Sequence, residues 1–320
     1  MVREFGGPEH LKIEDVADPA PQAGQVLVRL HAAGVNPFDT YMLTGNYATR
    51  PPLPYTPGAD AAGVVEHVGP NVTSMKPGDR VYIGGTAAHR SYGAYAQKAV
   101  AEPHQLHPLA DRLSFAQGAA INVPYVTAWR AVHDRARVQP GETVFIHGAS
   151  GGVGLAATQI ASAWGARVIG TASTPEGREL VTRQGAVKAL NHRENGYLDR
   201  LKELTGGRGP EVILESLANI NLDNDLTAAA SGARLVVIGN RGRVEIDPRK
   251  IMGKDMSVCG MSMWNIPAAD LERIHAGLAA GFASGALTPV VATELPLADA
   301  PRAHKLVMEP GAKGKIVLIP

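Results

Sequence analysis

The chain has 320 residues, 45% of them apolar, which is enough for about two domains that each bury a core. Lys and Arg number 31 against 30 Asp and Glu, a net charge of +1, and aromatics make up 5%, so neither a nucleic-acid partner nor an anionic membrane is expected. The single cysteine, Cys259, excludes an internal disulfide and any zinc site built on two thiolates, and the lack of an apolar leader or a run of about 18 apolar residues points to a reduced, cytoplasmic protein.

Up to about Gln117 the pattern is strands and turns. QVLVRLHAAGV and GVVEHVG alternate apolar with polar positions, and Lys76-Pro-Gly-Asp79 is a turn feeding RVYIG. From Thr143 the rhythm changes to strand then helix: TVFIHG, a helix through LAATQIASAW closed by Gly165, ARVIGTAS, and a helix opened by Thr174-Pro175 and closed by Gly185. VKALNH, a helix through YLDRLKEL, EVILES, a helix through LDNDLTAAA, and RLVVIG continue it. Strand-like runs alternating with helical patterns predict an α/β fold, a doubly wound parallel sheet buried on both faces. After about Ser257 the elements are mixed, with helices through DLERIHAGLAAGF and ADAPRAHKLVM and a strand GKIVLIP. The expected division is 118–256 for the α/β domain, inserted into a mostly β domain made of 1–117 and 257–320.

The stretch Gly148-Ala-Ser-Gly-Gly-Val-Gly154 directly follows a predicted strand and opens a predicted helix. In that context glycines allow a tight turn and close approach of backbone to a pyrophosphate, as in a Rossmann dinucleotide site. Only Gly151 and Gly154 keep the glycine fingerprint, because Ala149 stands where its first glycine would be. The same string reads as a G-x-S-x-G elbow around Ser150, which would make the chain a serine hydrolase with Asp247 and His275 or His304 as partners. No HGGG-type segment precedes it. At the end of the second strand, Gly170-Thr-Ala-Ser173-Thr174, no carboxylate awaits a ribose 2′-hydroxyl, whereas Arg178, His192 and Arg193 follow. An arginine there favours a 2′-phosphate and therefore NADPH; Glu176 on the same helix speaks against it, and Arg178 as a solvated helix charge is the alternative.

Segments along nearly the whole chain then carry a resemblance: EFGGPE at 4–9, AAGVNPFDTY at 32–41, PYTPGADAAGVVEHVG at 54–69, PGDRV at 77–81, GAYAQ at 93–97, HGASGGVGLAATQIA at 147–161, NHRE at 191–194, LANINL at 217–222 and IGNRG at 238–242. The sequence resembles the zinc-free, zeta-crystallin-like quinone oxidoreductases of the medium-chain dehydrogenase/reductase superfamily. That resemblance implies a GroES-like catalytic domain, a Rossmann domain, a cleft between them for NADPH, and reduction of quinones or similar activated carbonyl compounds. It also implies a dimer or tetramer, of which a homodimer is expected here, and a further edge strand ahead of the segment that begins here. Where the zinc enzymes of the superfamily have Gly-His-Glu, this chain has Gly58-Ala59-Asp60, so no metal is expected; His104 and His107 have no thiol near them in sequence.

By the same resemblance Ser150, Gly151, Gly152 and Val153 meet the pyrophosphate, and Ser173, Arg178 and His192 lie near the adenosine phosphate. Asn221, Ile238, Gly239, Asn240 and Arg241 line the coenzyme site, Met261, Ser262 and Met263 approach the nicotinamide, and Thr127 is a further candidate there. Tyr41 and Asn36 come from the catalytic domain, Tyr41 against the coenzyme as well. A quinone is already electron-poor and needs no Lewis acid, so the two could hydrogen-bond the developing hydroquinone oxygen. Reduction of an enone or enal double bond is the nearest alternative. A binding or structural protein that kept the nucleotide fold, including an RNA-binding one, is the distant one.

Overall fold

The computed structural model of the chain describes residues 1–47, 50–84 and 93–320. It forms two compact units, Met1–Val123 with Gly277–Pro310 and Gly314–Pro320, and Pro124–Ala276 with Gly311–Lys313. In chain order the strands are β1 (Val26–Val35), β2 (Asp60–Val68), β3 (Arg80–Gly84), β4 (Lys98–Ala101) and β5 (Leu106–Pro108). The second unit then supplies β6 (Thr143–Ile146), β7 (Arg167–Thr171), β8 (Lys188–Leu190), β9 (Val212–Glu215), β10 (Arg234–Val237) and β11 (Ser257–Gly260), before β12 (Val291–Pro296) and β13 (Lys315–Ile319) return to the first.

In the first unit a seven-stranded sheet runs β12-β13-β1-β2-β3-β5, with β4 also on β1. The alternation read in β1 is visible as exposed Arg29 and His31 between buried Val28, Leu30 and Ala32; Val28 and Leu30 join Tyr55, Ile83 and Leu318 in the core, and Ala32 packs with Ala119 and Val317. Two registers place the polar residues of this unit. Gly34 sits opposite Asp60, and Val35 opposite Ile316, so Asp60 and the start of β13 flank the residue after β1, Asn36.

The second unit is built on a six-stranded parallel sheet in the order β11-β10-β9-β6-β7-β8. Every residue of β6 and β9 is buried, as expected for strands covered on both faces. Phe145, Ile169, Ile213 and Leu235 fill the core beneath the helix Ala218–Ala228. Chain order reverses at β6, whose neighbours are β7 and β9, and this switch point is where open α/β sheets hold ligands. Against the expected 118–256, this unit starts at Pro124 and continues to Ala276, because Ser257–Gly260 pairs with β10 as a sixth strand.

Candidate active site

The turn after β6 is held by its neighbour strand. Gly148 has φ +60°, its N–H donates to Thr171 Oγ1 at 3.1 Å, and Ala149 N–H donates to the Thr171 carbonyl at 2.8 Å. Gly151 caps the helix Gly152–Ala163 without a side chain, so the first-turn N–H groups, including those of Gly152 and Val153, have no acceptor within the helix and carry its positive dipole end. The glycines differ in what they face. A Cβ on Gly154 would strike the backbone of Gly148 and Ala149, whereas one on Gly151 would meet nothing nearer than the Gly148 oxygen at 3.5 Å. Gly154 is therefore needed for helix-on-strand packing, and Gly151 leaves space over the positive helix end, an arrangement that fits a dinucleotide pyrophosphate. Ser150 is buried beside them.

At the end of β7, Thr174 caps the next helix by accepting the Gly177 N–H at 3.0 Å, and Arg178 Nη1 reaches back to the Ser173 carbonyl at 3.5 Å. Ala172 N–H donates to the Leu190 carbonyl, which holds the end of β8, two residues before His192, against the end of β7, one residue before Ser173. Glu176 is turned to its own helix end: its carboxyl is held below the usual range first by its own backbone N–H, then by Thr174, with Lys313 and Arg178 adding. Lys313 was not legible in sequence. It arrives on the short excursion Gly311–Lys313, where a Cβ on Gly311 would lie 3.5 Å from Thr174 Cγ2.

The later strand ends are stitched to each other. The Glu215 carbonyl accepts Ile238 N–H at 2.8 Å and Gly239 N–H at 3.3 Å, Ala218 N–H donates back to the Gly239 carbonyl, and Arg241 N–H donates to Asn219 Oδ1 at 3.0 Å. Asn240 uses its amide on the Gly242 carbonyl and Asn221 directs Nδ2 to Glu215 Oε1 at 3.3 Å. Met261 N–H continues the β10 edge onto Val237, Ser262 Oγ accepts the Trp264 N–H, and Met263 Sδ lies 3.9 Å from Thr127 Oγ1. The structure thus gathers the expected residues of the second unit around the carboxyl ends of β6, β7, β9 and β10.

In the first unit Asn36 caps the helix Pro37–Leu43, which carries half-buried Tyr41, and its own backbone N–H donates to Asp39 Oδ2 at 2.8 Å. The Asn36 side chain is largely engaged. Nδ2 donates to Asp60 Oδ2 at 3.0 Å and Oδ1 accepts the Lys315 ammonium, which also donates to Asp60 Oδ2 at 2.7 Å. Asp60 Oδ1 takes the Val123 N–H at 2.9 Å and Asn122 Nδ2 at 3.3 Å. Burial pushes the Asp39 carboxyl up to about 7, against the pull of the Asn36 N–H, Lys315 and the Tyr95 hydroxyl. These residues do not fit a catalytic zinc. Asn36, Ala59 and Asp60 offer neither thiolate nor imidazole, and the one carboxylate already faces an ammonium. Of the candidate hydrolase partners, Asp247 accepts the Arg249 N–H, and His304 Nε2 faces the Tyr95 hydroxyl at 3.2 Å.

Residues 152–278 match the zinc-binding dehydrogenase family and residues 22–111 the alcohol dehydrogenase GroES-like domain. A quinone oxidoreductase of Homo sapiens is 46% identical over 320 residues, covering 99% of this chain and 96% of the relative. Among solved structures, an NAD-dependent alcohol dehydrogenase superposes with a TM-score of 0.92 at 31% identity, covering 100% of this chain and 98% of the other. The Escherichia coli quinone oxidoreductase complexed with NADPH superposes with a TM-score of 0.90 at 31% identity and the same coverage.

Proposed function

The chain belongs to the quinone oxidoreductase family, and from that premise we propose that it reduces quinones at the expense of NADPH without a metal. The full-length likeness to the human quinone oxidoreductase carries the reading, and the turn geometry supports it. When bound, NADPH supplies the reducing equivalents, as a hydride or as electrons, and the rest falls to the protein. The first-turn N–H groups of Gly152 and Val153, with Ser150 and Gly151, hold the pyrophosphate; Ser173, Arg178 and His192, joined by Lys313, hold the 2′-phosphate; Asn221, Ile238, Gly239, Asn240 and Arg241 border the coenzyme at later strand ends. Met261, Ser262, Met263 and Thr127 shape the nicotinamide side. Tyr41 is the residue of the first unit proposed to meet the substrate, its hydroxyl donating to a quinone oxygen as charge grows there, an interaction worth about 1.5–3 kcal/mol. Asn36 keeps at most one amide N–H for the substrate and acts chiefly by fixing the helix that bears Tyr41.

A homodimer is proposed with it, because β11 is the outermost strand of its sheet and leaves Ser257 and Val258 exposed along an open edge. No helix among the described residues is long and apolar enough to cross a membrane. A cytoplasmic location is proposed on the single, unpaired cysteine.

Steady-state NADPH oxidation with an ortho-quinone, a para-quinone and an enone tests the reading. Turnover is expected with a quinone and unchanged after exhaustive chelation; an enone turned over alone, or activity that leaves with a metal, would sink it. The cofactor preference is expected to follow Arg178. Arg178→Glu removes a charge-assisted pair and adds a repulsive charge, so the NADPH Kd should weaken roughly ten- to a hundredfold while NADH changes little. Equal weakening of both would assign Arg178 to the helix instead.

A further inference from the structure

Beside the turn lie three ionisable side chains that the proposed function leaves unused: His147, Glu215 and Asp225, 4%, 0% and 0% exposed. They come from the residue after β6, the end of β9 and the helix Ala218–Ala228. His147 Nε2 is 2.7 Å from Asp225 Oδ1 and 3.4 Å from Glu215 Oε2, and the Phe145 ring packs edge-on against the imidazole. Glu215 Oε2 and Asp225 Oδ2 are buried acceptors with no donor. Their ligand atoms lie within 4.8 Å of one another, close enough for a cation. The short His147–Asp225 contact is nevertheless a hydrogen bond, and because the Glu215 and Asp225 carboxyls interact with each other, one proton shared between them would supply both orphaned oxygens at once. The last oxygen of the group, Glu215 Oε1, accepts the Leu217 N–H and Asn221 Nδ2, so the same carboxyl that needs the proton also fixes the start of the coenzyme-facing helix.

We propose that His147, Glu215 and Asp225 hold one proton in common and act as positioning residues for coenzyme, so that losing the proton loosens the Leu217–Asn221 segment and weakens NADPH binding. The proposal rests on NADPH being the coenzyme. Burial raises both carboxyls, Glu215 and Asp225 each to about 7, and lowers the His147 imidazole. A raised carboxyl stabilises the ordered, proton-bound state below its unfolded value and loses that contribution as pH climbs through about 7; the imidazole, favoured neutral, loses its contribution only as pH falls. The other groups facing the cluster are His192 beyond β8, which itself lies beside Arg193, and Tyr197 on the helix Tyr197–Leu204. His192 is lowered, first by desolvation, and Tyr197 is raised to about 12, so neither titrates just above neutrality.

The test is NADPH binding by fluorescence titration at about pH 6.5 and about pH 8.5, with amide hydrogen exchange at 217–221 corrected for intrinsic rates. In the natural protein the Kd should weaken roughly five- to tenfold at the higher pH, with protection falling in parallel. Glu215→Gln should give a flat profile near the low-pH affinity, because its amide N–H replaces the proton permanently; Asp225→Asn provides the same comparison if that variant fails to fold. Glu215→Ala should bind weakly at both values. A flat natural profile, a slope that survives in Glu215→Gln, or a stoichiometric divalent ion whose removal mimics Glu215→Ala would overturn the proposal. A natural protein that binds no NADPH at either pH would defeat the functional reading instead, and the exchange profile alone would then decide the cluster.

Discussion

Replacing Lys315 with methionine is expected to cost the first unit about 3–5 kcal/mol, the usual result of stripping one partner from a buried ion pair. The two side chains are 4% and 0% exposed, and Asp60 would keep only neutral donors, from Asn36, Asn122 and Val123. Asn36 Oδ1 would lose its donor as well, and with it part of the hold on the helix that presents Tyr41. A denaturant titration reads the loss. The double change Lys315→Met with Asp60→Asn should recover most of it, since the penalty lies in the orphaned charge and not in the absent attraction. A single-variant cost under about 1 kcal/mol would mean that water reaches Asp60 and the pair is only a surface-grade contact.

Gly154→Ala is expected to weaken NADPH binding by more than a hundredfold while also destabilising the second unit by about 1–3 kcal/mol, as overpacking does. The added carbon would lie 2.5 Å from Ala149 Cα and 2.8 Å from its carbonyl carbon, backbone atoms that can yield only if the whole turn moves. Gly151→Ala is the matched control. Its new neighbours would stand at 3.5 and 3.9 Å, ordinary contact, so its unfolding should be unchanged. Its NADPH affinity should still fall by about tenfold, close to 1.4 kcal/mol, if the open space above Gly151 belongs to the pyrophosphate. Both variants unfolding early, or both binding normally, would contradict this division of labour.

The legible part of the fold owes its legibility to strong periodicity. Each of the runs from TVFIHG to RLVVIG became a strand of the parallel sheet, and YLDRLKEL became the helix Tyr197–Leu204, because buried strands and amphipathic helices imprint their spacing on the chain. Ser257–Gly260 escaped for the opposite reason: as an exposed edge strand it carries no apolar run, so only pairing with β10 reveals it. The glycine turn was legible from its place between strand and helix. The polar network around Asp60 was not. Lys315 opens GKIVLIP like any solvated strand end, and nothing local says that its ammonium is buried against a carboxylate far back in the sequence. His147, Glu215 and Asp225 were hidden in the same way, each ordinary beside its own neighbours and unusual only once three strand and helix ends converge.

The placement of β13 between β12 and β1 has a consequence for biosynthesis. Residues 315–319 leave the ribosome only after the whole second unit has been made, so until then β1 lacks its partner at Ala33–Val35 and Asp60 lacks its cation. Folding of the first unit is thus held open across the longest span of the chain, at a step of high contact order that a nascent chain meets with one sheet edge bare. A product released early would keep that bare edge and an unpaired carboxylate, two marks by which quality control can tell it from the finished fold.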